Sequence, residues 1–173
     1  MSDAPDSRDA GPPVRVRRAD ERDLPALATL RRTWAERRGG QAPGADPAFE
    51  RAFAAWFRAE TPQRAFWLAE VGDERVGTTA VGSLNVVEVS AMPSPGTRPE
   101  RWGYVGNVVV LPDTPVRGVP RRLLAAGIAH AQERGYARLV LRPSASSAAF
   151  YRAAGFRPAG DEMVVLEAPG RQT

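Results

Sequence analysis

Residues 107–124 read Asn-Val-Val-Val-Leu-Pro-Asp-Thr-Pro-Val-Arg-Gly-Val-Pro-Arg-Arg-Leu-Leu. The stretch closes an apolar run that begins at Trp102 and ends at Leu111, which predicts a strand. Pro112 and Pro115 break it. From Gly118 to Arg134, Leu123, Leu124, Ile128 and Ala131 recur on one face, and Gly135 follows, which predicts a helix with a glycine stop. Strand, tight loop and helix together make a βα unit. A loop entering a helix N-terminus presents unpaired backbone N–H groups and the positive end of the helix dipole. Arg117, Arg121 and Arg122 add fixed charge and forked donors beside it. The arrangement suits a pyrophosphate. An ordinary helix start with solvated arginines accounts for the same residues equally well.

Working outward, Ala137–Leu141 is a short apolar run and reads as the strand after this helix. Ser144–Ala154 reads as a short helix stopped by Gly155, and Met163–Leu166 as a last strand. On the other side, Val14-Arg-Val-Arg-Arg18 alternates as a strand does. Asp20 is placed to cap a helix carrying Leu24, Leu27, Leu30 and Trp34, ended by Gly39-Gly40. Asp46-Pro47 opens a second helix, with Phe49, Phe53, Trp56 and Phe57 along one face. Phe66–Val71 and Arg75–Val89 are strand-like, with a turn at Gly72-Asp-Glu74 between them. A proline-rich loop, Met92-Pro-Ser-Pro-Gly96, separates them from the Trp102 strand. Antiparallel strands come first and a βα unit with its following strand later. The expected class is therefore α+β, with a mixed sheet.

Composition bounds the chemistry. The chain has 173 residues, no cysteine and one histidine, His130. Disulfides, thiolate zinc sites, cysteine nucleophiles and His-rich metal sites are excluded. All 24 cationic side chains are arginine and the net charge is +4. The arginines are spread along the chain and no basic–aromatic motif accompanies them, so charge alone is a weak argument for nucleic acid. No apolar run is long enough to span a membrane, and the start MSDAPDSRDAGPP lacks the apolar core of a signal peptide. A cytoplasmic location is expected, with no nucleic-acid or membrane partner. Residues 1–13 are polar and read as a disordered tail. His130 falls away from the Leu123/Leu124/Ile128 face and is expected at the surface.

The stretch Leu139-Val-Leu-Arg-Pro-Ser144, followed by Ala148-Ala-Phe-Tyr-Arg-Ala-Ala-Gly-Phe156, adds a second signature. "FYRAAGF", placed after a βαβ unit at this distance, resembles the "lYeklGF" ending of the GNAT superfamily of acyl-CoA-dependent N-acetyltransferases. The strand–loop–helix at 107–124 resembles that family's pyrophosphate motif, and the elements occur in the family's order. The opening VRVRRADERDLPALATLRR is similar as well. The resemblance covers roughly residues 14–167.

The resemblance implies one domain over 14–168, with 169–173 a short tail. It implies a mostly antiparallel mixed sheet with a central, splayed parallel pair, Tyr104–Leu111 and Ala137–Arg142, flanked by helices. Acyl-CoA would lie in the opening of that pair. The backbone of Val108 and Val110, with Val109 between them, would meet the pantetheine arm as an added strand does. Arg117, Gly118, Val119, Pro120, Arg121 and Arg122 would form the phosphate loop. Here Pro115 and Pro120 depart from the family pattern, and Pro120 removes one N–H. Ser144 stands where the family often carries Asn, and reads equally well as a helix cap. Tyr151 would be the general acid, protonating the leaving thiolate. The family's carboxylate base falls at Gly106, beside Asn107, so no base is assigned; Glu88, Glu100 and Asp113 are the nearby carboxylates. The implied activity is transfer of acetyl from acetyl-CoA to an amine of a small molecule or peptide, by direct attack in a ternary complex. No metal is required, and a homodimer fits the family. Trp34, Trp56, Phe57 and the Met92–Arg101 loop are expected to shape the acceptor site. The alternative is a CoA-binding module with little or no catalysis.

Overall fold

The computed structural model describes residues 12–39, 46–73, 77–160 and 163. Residues 1–11 of the expected 1–13 tail, the expected tail at 169–173, Gly40, the Glu74 end of the first hairpin, the Arg75 start of the next strand and the strand residues 164–166 lie outside them; of the expected tail, Pro13 O accepts from the Gly72 amide at 3.3 Å. The chain divides after Leu141 into two compact units.

The first unit holds a five-stranded mixed sheet in the order β1-β2-β3-β4-β5. Its strands are β1 (Val14–Arg18), β2 (Arg64–Asp73), β3 (Gly77–Ser90), β4 (Arg101–Val110) and β5 (Leu139–Val140). The first three pairings are antiparallel and β4–β5 is parallel. The expected class and the parallel pair are both present. Helices α1 (Leu24–Gly39) and α2 (Pro47–Glu60) belong to one face, and α3 (Val119–Glu133) to the other.

Side-chain alternation builds the two faces. Phe66 and Leu68 of β2 join Ala19, Leu27, Leu30 and Phe57 in a buried cluster under α1 and α2. On the opposite face Leu84, Val86, Leu123 and Leu124 are buried to within 1%. Each such side chain stabilises the fold by about 1.5–3 kcal/mol. Phe57, expected beside an acceptor site, is instead core: it is 3% exposed and its ring lies 4.6 Å from that of Phe66.

The helix starts follow local chemistry. Asp46 Oδ1 accepts from the amides of Ala48 and Phe49, at 3.0 Å each, ahead of Pro47 in the first turn. Asp20 caps a 3₁₀ turn, Glu21–Asp23, that runs directly into α1. Asp23 closes the capping box by accepting from the Asp20 amide at 2.9 Å. The same carboxylate, 8% exposed, takes two bonds from Arg17, whose Nε and Nη2 also reach Glu70. One guanidinium thus ties β1, β2 and the start of α1.

Several expectations are corrected. Strand β2 begins at Arg64, two residues early, because Arg64 is already in register with Val87. Strand β5 spans two residues rather than five, because its ladder with β4 covers only Gly103–Leu139 and Tyr104–Val140. His130 is not a plain surface residue. Its ring stands edge-on to Trp67 at 5.1 Å and to Tyr136 at 5.7 Å, with Arg18 Nη1 3.4 Å from Nδ1. The side chain reaches back over the sheet, and burial, with Arg18 and Arg134 nearby, pushes its pKa down.

The second unit contains α4 (Ala148–Ala153). This helix starts four residues later than expected. Ser144–Ser147 form a turn in which the Ser147 amide donates to Ser144 O at 3.0 Å and the Ser144 amide donates to Ser147 Oγ at 2.9 Å. These side-chain bonds compete with helix.

Candidate functional site: an open strand edge leading to a helix start

The geometry begins at the end of the parallel ladder. Beyond Tyr104, no strand among the described residues pairs with β4 on its β5 side. On the other side the β3 ladder slips between Ser83 and Asn85, opposite Asn107. Asn107 has φ 49°, in the left-handed region that Asn tolerates better than most residues. The slip is a β-bulge, which bends and re-aims a strand. Past it, the Leu111 amide donates to Val81 O at 2.8 Å. The two-residue alternation then turns the main-chain groups of Val110, and of Val108 before it, away from β3. An extended chain laid along this edge meets donors and acceptors that no strand among the described residues pairs.

The strand leads through Pro112–Arg117 to α3. Thr114 closes a turn onto Leu111 O, through both its amide and its hydroxyl. Gly118, the residue before the helix, has φ 82° and no side-chain cap. Its missing Cβ would meet nothing within 4 Å, so the approach to the helix start is open. Val119 is 1% exposed and anchors the first turn in the core. Pro120 sits in that turn without an N–H, and no acidic residue accompanies it. Arg117, Arg121 and Arg122 are exposed. Arg122 donates to Val14 O at 3.2 Å, which ties it to β1. A cationic helix start at the end of an open strand edge can hold an extended molecule with a phosphorylated end. The residues present therefore fit acyl-CoA. Among the described residues no group of three or more His, Asp or Glu could hold a metal ion.

The α1–α2 side of β4 carries a second set of groups. Arg64 Nη1 donates to Asn85 Oδ1 at 2.8 Å, and Asn85 is 3% exposed. Glu60 Oε2 accepts from Arg64 Nε and Nη2 at 2.9 and 2.7 Å. The same guanidinium lies 5.0 Å from the Trp56 ring. Arg31 donates to Asn107 Oδ1 at 3.0 Å and lies 4.2 Å from the Trp34 ring. Sequence reasoning missed Asn85, Arg64 and Arg31. Their signal was present only as pairing across strands and helices far apart in the chain.

The other carboxylates named from sequence are engaged elsewhere or solvated. Glu88 binds Arg134 at 2.8 Å and accepts from the Tyr136 hydroxyl at 2.7 Å. Although burial opposes it, the bonds from Arg134 and Tyr136 hold its pKa below the usual carboxylate value. Glu100 pairs with Arg138 at 3.3 Å, and Asp113 is exposed.

Tyr151 and Ser144 belong to the second unit. The Tyr151 ring stands between Phe150, at 5.0 Å, and Phe156, at 5.9 Å. The Phe156 amide donates to Tyr151 O at 3.0 Å, which closes α4 over Gly155. Ser144 Oγ lies within 2.9–3.1 Å of the hydroxyls of Ser147 and Ser146.

Residues 26–156 match the family model of the acetyltransferase (GNAT) family. No curated protein matches the chain in sequence. Solved structures are similar to it in fold. A predicted acetyltransferase from Clostridium acetobutylicum, solved with acetyl-CoA, is 20% identical at TM-score 0.66, over 89% of this chain and 96% of that one. An acetyltransferase from Trypanosoma brucei is 21% identical at TM-score 0.66, over 90% and 100%. Glucosamine-6-phosphate N-acetyltransferase from Arabidopsis thaliana is 14% identical at TM-score 0.65, over 92% and 99%. At these identities the likeness speaks to fold.

Proposed function

The chain belongs to the acetyltransferase (GNAT) family, and from that premise we propose that it transfers an acetyl group from acetyl-CoA to an amine. The observation that carries the reading is the β4 edge. Its ladder with β5 ends at Tyr104, and the strand runs on past a bulge to an uncapped, cationic helix start. In this reading Val108–Val110 hold the pantetheine arm through their backbone. Val119 and Arg121 amides, with Arg117, Arg121 and Arg122 side chains, hold the pyrophosphate, and Gly118 gives it room. Ser144 supports the junction after the β5 segment, and residues 14–168 act as one acetyltransferase domain.

Acetyl-CoA supplies the activated thioester. The acceptor nitrogen attacks the acetyl carbon while both substrates are bound; the C–N bond forms and the C–S bond breaks. Backbone N–H groups at the strand edge polarise the carbonyl. The Tyr151 hydroxyl gives its proton to the departing thiolate. With no cysteine in the chain, no acyl-cysteine intermediate forms. The acceptor is an amine of a small molecule or peptide, the protein works in the cytoplasm, and a homodimer is its proposed assembly.

The test is binding followed by turnover. At a CoA concentration about one hundred times its dissociation constant, linkage stabilises the fold by roughly 2.7 kcal/mol, read as a raised melting temperature. Acetyl-CoA with a panel of amines should release free CoA thiol. Absence of any melting shift and of any calorimetric heat with CoA overturns the reading. Binding without release to any amine favours the non-catalytic CoA-binding module.

A further inference from the structure

We propose that Arg31, on α1, is a positioning residue for the pantetheine arm: it holds Asn107 in the conformation that aims the open edge of β4. The inference rests on the transferase reading and on the local geometry of the bulge. In the β3–β4 ladder Asn85 pairs with Gly106 and Ser83 with Val109, so Asn107 and Val108 together stand opposite Leu84. Asn107, the first of the two, has φ 49° and is the one non-glycine with positive φ among the described residues. Glycine is the usual residue at the left-handed position of such a bulge, because it takes that φ without strain. Asn107 brings a carboxamide there instead, and its Oδ1 accepts from Arg31 Nη1 at 3.0 Å.

The tether is itself anchored. The Arg31 guanidinium lies 4.2 Å from the centre of the Trp34 ring, one turn further along α1. Leu27 and Leu30 of the same helix are buried in the cluster with Phe66 and Leu68 of β2. A helix fixed to the sheet thus grips a strand residue 76 positions away in sequence. A non-glycine residue stays left-handed only where its surroundings hold it there. Without the bond Asn107 is free to return toward negative φ. The main-chain groups of Val108 and Val110 follow it directly along the strand and turn with it. A ligand that pairs with those groups then meets them correctly aimed only part of the time. Its dissociation constant rises by the inverse of that fraction. Arg31 therefore acts through Asn107 rather than on the substrate.

The experiment titrates pantetheine and CoA calorimetrically into the unmodified protein and its variants. Arg31→Ala should weaken both ligands about fivefold to tenfold, because both carry the arm. The bond is exposed, so the melting temperature should change little. The KM for acetyl-CoA should rise by the same factor as the dissociation constants; a mere loss of folded protein lowers kcat and leaves KM alone. Asn107→Gly takes the left-handed φ but has no acceptor atom. Once it is in place, Arg31→Ala should add less than about a twofold loss, since nothing remains to be tethered. Asn107→Asp keeps the acceptor atom and should bind pantetheine within about twofold of the unmodified protein.

Unchanged pantetheine affinity in Arg31→Ala overturns the proposal. So does a full further loss when Arg31→Ala is combined with Asn107→Gly. A raised acceptor KM with pantetheine affinity intact overturns it as well, and makes Arg31 an acceptor contact instead. If Arg31→Ala does not fold, Asn107→Gly against Asn107→Asp decides: equal pantetheine affinity in the two overturns the proposal. Each of these results leaves the transferase reading standing. If the unmodified protein does not bind CoA, the transferase reading fails, and this proposal with it.

Discussion

The Tyr136 hydroxyl donates to Glu88 Oε2 over 2.7 Å, joining the segment after α3 to the middle of the sheet. Burial first, and the Glu88 carboxylate second, push this phenol up to about 12. The folded state therefore favours protonated Tyr136. Its contribution to stability is whole below the ordinary phenol value and is lost as pH rises through the folded one. Of the three tyrosines in the chain, Tyr136 is expected to ionise late. Ultraviolet absorbance against pH reads this directly. Tyr136→Phe should remove the late step, and Glu88→Gln should bring it to lower pH. A late step that survives Tyr136→Phe contradicts the assignment.

Arg17 gives a second, acid-side prediction. Its bonds hold Asp23 below the usual carboxylate value, against the opposing effect of burial. A depressed carboxylate stabilises the fold above its unfolded value, and that contribution is lost as pH falls through the folded value. Asp23→Asn should cost about 2 kcal/mol at neutral pH, measured by urea unfolding, because charged hydrogen bonds to Arg17 and the capping box both weaken. The difference between Asp23→Asn and the unmodified protein should shrink at the acid end of the titration. A difference constant with pH would mean that packing, not charge, sets the cost.

Tyr151→Phe keeps the ring between Phe150 and Phe156 and removes only the hydroxyl. If the phenol protonates the thiolate, kcat falls by about 10²-fold, with acetyl-CoA affinity nearly unchanged. Unchanged turnover with a good acceptor would assign Tyr151 to packing alone.

Pro120 sits in the first turn of α3, where, in the proposed phosphate loop, an N–H would face the pyrophosphate. A well-formed bond to a charged group contributes about 1.5–3 kcal/mol. Part of that is offset by the rigidity proline lends the loop. Pro120→Ala should therefore tighten CoA several-fold and leave pantetheine, which has no pyrophosphate, unchanged. Equal tightening of both ligands, or weaker CoA, would move the phosphate site away from this turn.

What was legible in the chain was what short-range chemistry determines. Asp46-Pro47 names a helix start because a carboxylate cap and a fixed φ act within three residues. The strand–loop–helix at 107–124 is readable because apolar period and proline breaks are local. The length of β5 was not, since it depends on where a ladder formed by residues thirty-six positions apart comes to an end. His130 was misplaced because its helical position points outward, whereas its ring reaches Trp67 on a strand sixty-three residues earlier. The groups around Gly106 were hidden for the same reason: Arg64, Asn85 and Gly106 become neighbours only through the registers of β2, β3 and β4.

The bulge at Asn107 divides β4 into two halves that keep opposite parity. Before it, Gly106 shares a face with Asn85; after it, Val109 shares that face through Ser83, although one number is even and the other odd. Residues 104 and 106 therefore belong with 109, and 105 with 110. A deletion of Asn107 would be more disruptive in sequence space than most substitutions nearby, because it would restore plain alternation by sending one half of the strand to the wrong side. Length, rather than side-chain identity, is what this strand has least freedom to change.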